Sequence, residues 1–187
     1  MVGELPISLE IDGKRFSIRT DYRDILSILC AFQDPDLEDI EKMYCCMYIL
    51  YKNFDGIKPE DYEEAYRQAV WFLDCGDDPD STGKKSPRVM DWEQDEKILF
   101  PAINAVAGFE VRARKYIHWW TFMGYFMEIH EGTFSEVLSL RQKKAKGKKL
   151  EKWEREFWSN NKDMCILKKR ISKAEQEEKD RLNKLLG

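Results

Sequence analysis

Apolar and polar residues alternate in one short stretch of this chain, residues 7–18. From Thr20 onward apolar residues instead recur at spacings of three and four. A strand keeps one face dry with a period of two and a helix with a period near 3.6, so this switch predicts a single hairpin followed by helices. Ile7, Leu9 and Ile11 alternate with Ser8, Glu10 and Asp12; Asp12-Gly13 is a two-residue turn signal; Phe16 and Ile18 alternate on the return. A lone hairpin is marginal in water, so its apolar face must rest on helices. The expected fold is mainly α: a multi-helix single domain with a short N-terminal β-hairpin over about residues 5–19 and a C-terminal helical extension. The helical body covers residues 1–140 and the extension 141–187. No run of eighteen apolar residues exists, so no membrane span is expected.

Capping and stop signals divide the helical part. Thr20 and Asp21 suit the start of a helix carrying Ile25, Leu26, Ile28, Leu29 and Phe32. Asp34-Pro35 ends it and places Pro35 at the first position of a second helix, with Leu37, Ile40, Tyr44, Met47 and Tyr51 on one face. Pro59, Glu60 and Asp61 open a third, which Gly76 stops. Residues 76–89 read as a loop. Asp91 with Gln94 signals a capping box for a helix that buries Trp92, Leu99, Ile103 and Val106, that Pro101 should kink or break, and that Gly108 ends. Residues 116–130 are apolar nearly all round and predict one central helix. Gly132 stops it, and Thr133 with Glu136 suggests another capping box. Asn160-Asn161 marks a break. From 164 to 186, Met164, Leu167, Ile171, Ala174, Leu182 and Leu185 fall on a loose heptad that Glu178 interrupts.

The chemistry-bearing residues form no recognisable catalytic pattern. His118 and His130 are twelve residues apart; on one helix that leaves them about 120° apart in azimuth and roughly 18 Å apart along the axis, too far for one metal ion. His118 is expected in the core and His130 at a helix C-terminus, where the dipole favours it. No GxGxxG, GxxxxGK[ST] or GxSxG occurs, and Gly83-Lys84-Lys85-Ser86 lacks the upstream glycine and strand of a phosphate loop. Cys30, Cys45, Cys46, Cys75 and Cys165 have no metal-type spacing and read as reduced thiols. Neither an enzymatic activity nor a cofactor is expected.

Charge is the other distinctive feature. Residues 1–140 hold 15 Lys+Arg against 27 Asp+Glu, and residues 141–187 hold 16 against 8. An acidic body repels phosphate, so the chain is not a general nucleic-acid binder. The basic stretch 141–155 is flanked by Trp153 and Trp158. Lys143, Lys144, Lys146, Lys148, Lys149, Trp153 and Trp158 are the candidate partner-binding residues, steering an acidic protein surface or a second copy of the chain. The alternative is a nucleic-acid-binding accessory protein acting through 141–158 by phosphate contacts and base stacking.

The order of these elements resembles a known family, the bacteriophage "Gp fifteen" family encoded before the tape-measure gene in many siphophages. LPISLEIDGKRFSIRTDYRDIL, DPDLEDIEKMYCCMYILY, WFLDCG, MDWEQDEKILFPAI, IHWWTFMGYFMEI, TFSEVLSLR and KGKKLEKWEREFW carry the likeness, over roughly residues 5 to 165. The resemblance implies a non-enzymatic tail assembly chaperone. Such a protein binds the tape-measure protein, helps recruit tail-tube subunits, works in the bacterial host cytoplasm and is absent from the mature virion. No catalytic residues are implied.

Overall fold

The computed structural model describes residues 3–77 and 87–186. Most of the loop expected at 76–89, including Gly83-Lys84-Lys85-Ser86, lies outside the described residues. The protein is mainly α-helical. A two-stranded antiparallel hairpin, β1 (Ser8–Ile11) and β2 (Lys14–Ser17), precedes α1 (Tyr22–Phe32), α2 (Asp39–Leu50), α3 (Tyr62–Leu73), α4 (Glu96–Ala107), α5 (Trp119–Met127), α6 (Thr133–Ala145), α7 (Lys152–Asn160), α8 (Lys162–Cys165) and α9 (Lys173–Leu186). Among the described residues no helix is long and apolar enough to cross a membrane. The chain divides into two compact units. The first comprises Met1–Pro6, Thr20–Tyr22 and Val70–Lys168; the second comprises Ile7–Arg19, Arg23–Ala69 and Lys169–Gly187. The basic stretch up to Lys168 thus shares a unit with α4, α5 and α6, and α9 shares one with the hairpin.

In the second unit the hairpin forms with the expected turn, but Ile7, expected on its apolar face, precedes β1 and is exposed. Asp12 and Gly13 both have positive φ, 47° and 67°, as a two-residue turn of type I′ requires. Leu9 faces Phe16 in the register, and Leu9, Ile11 and Ile18 are buried. The support comes from the end of α2: Lys52 N–H donates to Ser17 O (3.0 Å), Arg19 N–H to Leu50 O (2.8 Å), and Ile18 forms an antiparallel bridge with Tyr51. The Arg19 guanidinium donates to Ile49 O (2.6 Å), satisfying a carbonyl that the helix end leaves unpaired. The Tyr51 hydroxyl donates to Ala65 O (2.7 Å) and so joins α2 to α3.

The start of α2 differs from the expectation. Pro35 is not its first residue, because the Asp34 carboxylate accepts from Asp36 N–H (2.9 Å) and folds 34–36 into a turn. The helix begins at Asp39, where Glu38 and Glu41 make a reciprocal capping box. Its buried side is Cys46, Met47 and Leu50, while Ile40, Tyr44 and Tyr48 are exposed. Tyr44 and Tyr48 meet Phe54 edge-on, and Phe54 stacks on Tyr62 at 5.4 Å, so these rings cover one another at the surface.

The first unit is built around aromatic rings. Tyr22 stacks on Phe122 with centroids 4.4 Å apart, and Phe100 and Trp119 pack on Phe122. The indoles of Trp119 and Trp120 donate to Leu73 O and Phe72 O, both at 2.9 Å, capping the C-terminal carbonyls of α3. The single helix expected over 116–130 is much shorter. Tyr22 N–H donates to Ile117 O (3.0 Å), Trp119 N–H to Thr20 O (2.7 Å), and Ile117 N–H to the Asp21 carboxylate (3.2 Å). Residues 116–118 are thereby held extended beside 20–22, and α5 starts only at Trp119. His118 is buried and is the N-cap, accepting at Nδ1 from Trp120 N–H (3.1 Å); His130 lies beyond the helix end and pairs with Glu128 at 3.3 Å. The two histidines therefore do not share a helix.

Candidate functional site

The basic stretch begins with a residue that faces inward. Arg141, on α6, is only 6% exposed. It forms a two-pronged ion pair with Asp95, itself 2% exposed, at 2.7 and 2.8 Å. Its remaining donors go to the carbonyls of Cys165 (3.0 Å), Val89 (3.0 Å) and Met164. A guanidinium carries five N–H donors, and all of them are used. Asp95 also accepts from Asp91 N–H (2.9 Å), and Asp91 caps Glu93 N–H and Gln94 N–H. The expected capping box is thus altered. Asp91 accepts from Gln94 N–H, but its own N–H goes to Asp95, the Gln94 amide reaches the Asp91 carboxylate and Lys168, and α4 starts later, at Glu96.

Beyond Arg141 the candidate residues separate into two groups. Lys143 pairs with the carboxylate of Glu154, which is almost fully buried and closes a capping box for α7 by accepting from Glu151 N–H (2.7 Å). The Lys143 ammonium, and after it the backbone N–H of Glu151, hold the Glu154 carboxyl below the usual carboxylate range. Lys144 lies 3.9 Å over the Trp158 ring. Trp158 in turn packs with Ile98, Leu150, Phe157 and Met164 on the buried cluster of Val137, Leu140 and Cys165. Lys143, Lys144 and Trp158 therefore help hold α6, α7 and α8 together. Lys146, Lys148 and Lys149 are exposed on the turn between α6 and α7, which Gly147 makes at φ 67°. Lys152 and Trp153 (55% exposed) continue that surface at the start of α7. What faces outward is a compact cationic turn beside an indole, suited to contact with anionic groups and with no paired acid and base. Among the described residues no group of three His, Cys, Asp or Glu is placed to hold a metal ion.

A second feature of this unit was not read from the sequence. Pro101 does not break α4, which runs unbroken from Glu96 to Ala107 and ends at Gly108 with φ 76°. A proline at the sixth helical residue removes one hydrogen bond, to Lys97 O, on the exposed side of α4. Pro101, Ala102, Ala105 and Val106 line a groove of about 600 Å³ whose other wall is Glu128 to Phe134. Val106, expected in the core, is 38% exposed and faces this groove; Leu99, Phe100 and Ile103 are the buried side. The signal was present as Pro101, Ala102, Ala105 and Val106, spaced four apart in pairs, which is a second apolar face on one helix. The carboxylates of Glu128 and Glu131 and the ammonium of Lys97 stand among the groove's walls. Its size and apolar lining suit buried side chains of a partner.

Beyond α4, Glu110 clasps the chain. It accepts from Arg112 Nε (2.8 Å) and from the Asn104 amide (2.8 Å), while the Asn104 carbonyl accepts from Val111 N–H (2.9 Å). The Arg112 guanidinium beside it lowers the Glu110 carboxyl to about 2.

In comparison with known proteins, a family model described as Bacteriophage Gp15 protein matches residues 1–167. No curated protein and no solved structure matches the chain.

Proposed function

The chain belongs to the Bacteriophage Gp15 protein family, and from that premise we propose that it is a non-enzymatic tail assembly factor of a long-tailed phage or prophage. In this reading it is a chaperone that binds the tape-measure protein in the bacterial host cytoplasm, helps recruit tail-tube subunits, and leaves before the virion is complete. The observation that carries the proposal is the groove along α4. A tape measure is a long helix with apolar stripes that stay exposed until the tube closes around it. A groove floored by Pro101, Ala102, Ala105 and Val106 accepts apolar side chains presented at helical spacing, and its small residues allow close approach. The cationic turn Lys146–Lys149 supplies electrostatic steering toward an acidic partner such as a tube subunit.

Co-expression tests this. The tape-measure protein encoded beside this chain should be insoluble alone and soluble as a complex when the two are made together. Val106→Asp should abolish the complex, because it puts an unpaired charge in the groove. A wild-type protein that purifies without the tape measure would refute the chaperone reading.

The second reading, a nucleic-acid accessory protein acting through 141–158, is favoured by the exposed Trp153 beside Lys146, Lys148 and Lys149. Binding to single-stranded DNA or RNA that weakens steeply with salt would select it.

A further inference from the structure

We propose that the α4 groove of one copy receives helix α9 of a second copy, so that the protein associates head to tail through its own C-terminal helix. The inference rests on the groove being a helix-binding site, as proposed above, but not on the tape measure being its other occupant.

Helix α9 has fourteen residues and starts at a well-made cap: Ser172 Oγ accepts from Glu175 N–H (3.1 Å) and the Glu175 carboxylate from Ser172 N–H (3.1 Å). Its first N–H is fixed to the Asp36 carboxylate (2.7 Å). Yet every described side chain from Lys173 to Leu185 is exposed, including Leu182 and Leu185, the latter 74% exposed. Helices of this length are marginal in water, and in proteins their stability comes from burying one face. Helix α9 is well begun and exposed, so among the described residues nothing covers its apolar side. It begins beyond residue 167, where the match to the family model ends.

Size and charge single out the groove as that partner. The groove runs from Lys97 to Val106 on α4, nine helical steps or about 14 Å. From Glu178 to Leu185 α9 spans seven steps, about 10 Å. At 100° per residue Glu178, Leu182 and Leu185 lie within about 60° of one another, with Lys179 on one flank and Arg181 on the other. The groove offers Lys97 on α4 and Glu128 and Glu131 on the opposite wall. Two leucines thus find an apolar floor; Glu178, 3.9 Å from Arg181 on α9 itself, finds the Lys97 ammonium, and the flanking cations find Glu131 and Glu128, the latter beside His130 at 3.3 Å. Glu178, which spoils a coiled-coil heptad, is explained as an ion-pair partner. The contact is heterologous: a different surface from each copy, so each copy can pass the association on. It also shields the groove until a competing helix displaces α9.

The test is sedimentation velocity on the full chain from about 1 μM to about 1 mM, a range that spans weak to moderate affinities. The wild type should shift to larger species with concentration. Leu182→Asp/Leu185→Asp, at exposed positions, and separately Ala105→Glu, also exposed, should each weaken association by at least about tenfold. Mixing the two variants should restore one-to-one complexes, because one supplies an intact groove and the other an intact helix. Wild type that stays monomeric, either variant that associates unchanged, or a mixture that does not complement would overturn the proposal. Circular dichroism on each variant checks that the fold is kept. The tape measure is absent from this experiment. Failure of self-association with retained tape-measure binding therefore sinks only this inference, and the reverse pattern sinks only the chaperone reading.

Discussion

Arg141→Met is the substitution with the largest expected effect on stability. The change keeps the length and apolar stem of the side chain but removes all five donors. Asp95 would be left 2% exposed, with Asp91 N–H as its remaining partner among the described residues, and the carbonyls of Cys165, Val89 and Met164 would lose a donor. Breaking a buried ion pair from one side costs about 3–5 kcal/mol. For a chain of this size that is a fall in Tm of about 6–20 °C, and it consumes much of a stability that is typically about 5–15 kcal/mol. The assay is urea unfolding followed by tryptophan fluorescence. All six tryptophans lie between residues 71 and 158, inside the first unit, so the signal reports on the unit that holds the pair. The double variant Arg141→Met/Asp95→Asn removes the orphaned charge and keeps an acceptor for Asp91 N–H. It should therefore be more stable than the sum of the two single effects by about 1–3 kcal/mol. A single-variant loss below about 1 kcal/mol, or strict additivity in the cycle, would refute the description of Arg141 as a buried hub.

Three further outcomes are expected. Glu154→Gln should flatten the acid limb of the stability curve. Lys143 depresses the folded pKa of Glu154, so its contribution is complete above the unfolded carboxylate value and is lost as pH falls through the lower folded value; an unchanged acid limb in urea melts between pH 5 and 2 contradicts this. The Glu110 carboxyl, followed by carbon-detected NMR, should titrate near 2, with the Asn104–Glu110 clasp opening only below that pH; a midpoint near 4 means that Arg112 does not hold it. Alkylation at pH 8 followed by mass spectrometry should leave Cys46 unmodified in the native protein, because burial raises its thiol to about 12, and should modify it fully in urea; native labelling as fast as that of a free thiol would refute the assignment of Cys46 to the core.

What was legible in the sequence depended on range. The hairpin was readable because a two-residue Asp-Gly turn and period-two alternation are local and agree with each other. The mainly helical class, the stop of α4 at Gly108 and the break at Asn160-Asn161 were readable for the same reason. Errors arose where a distant segment outcompeted a local signal. Residues 116–118 have helical-looking composition but are held extended by backbone bonds to Thr20 and Tyr22, nearly a hundred residues away in sequence. Thr133 and Glu136 spell a capping box, yet α6 begins from Gly132, whose carbonyl accepts from Glu136 N–H (3.1 Å). The heptad of 164–186 fails because Ile166 caps the short α8 in an extended conformation and the next helix starts only at Lys173. The groove is hidden for another reason: Pro101 suggests a kink or break, whereas at the sixth residue of α4 it costs one solvent-side hydrogen bond and leaves an apolar second face.

The outward charge of 141–155 is smaller than its basic count, and the difference can be measured. Eight basic residues fall between 141 and 155, and a chain that used them all on nucleic acid would have a log–log salt slope near −7 on duplex. The fold turns Arg141 to Asp95, Lys143 to Glu154 and Lys144 to Trp158. That leaves Lys146, Lys148, Lys149, Lys152 and Arg155 exposed and outside those three contacts, which on these five alone gives a slope of about −4.5 on duplex and about −3.5 on single strands. Fluorescence anisotropy across a salt series measures it directly. A slope near −4 to −5 on duplex, or near −3 to −4 on single strands, would place binding on the outward turn and advance the nucleic-acid reading. No binding at low salt would leave the turn to protein partners, where Lys146→Glu/Lys149→Glu should slow association with an acidic surface and leave the stability of the α6–α7 pair unchanged. A slope near −7 would mean that the ion pairs of Arg141 and Lys143 exchange for phosphate. The Arg141→Met loss of stability should then disappear in the complex, because the same guanidinium cannot hold both Asp95 and the backbone of a nucleic acid.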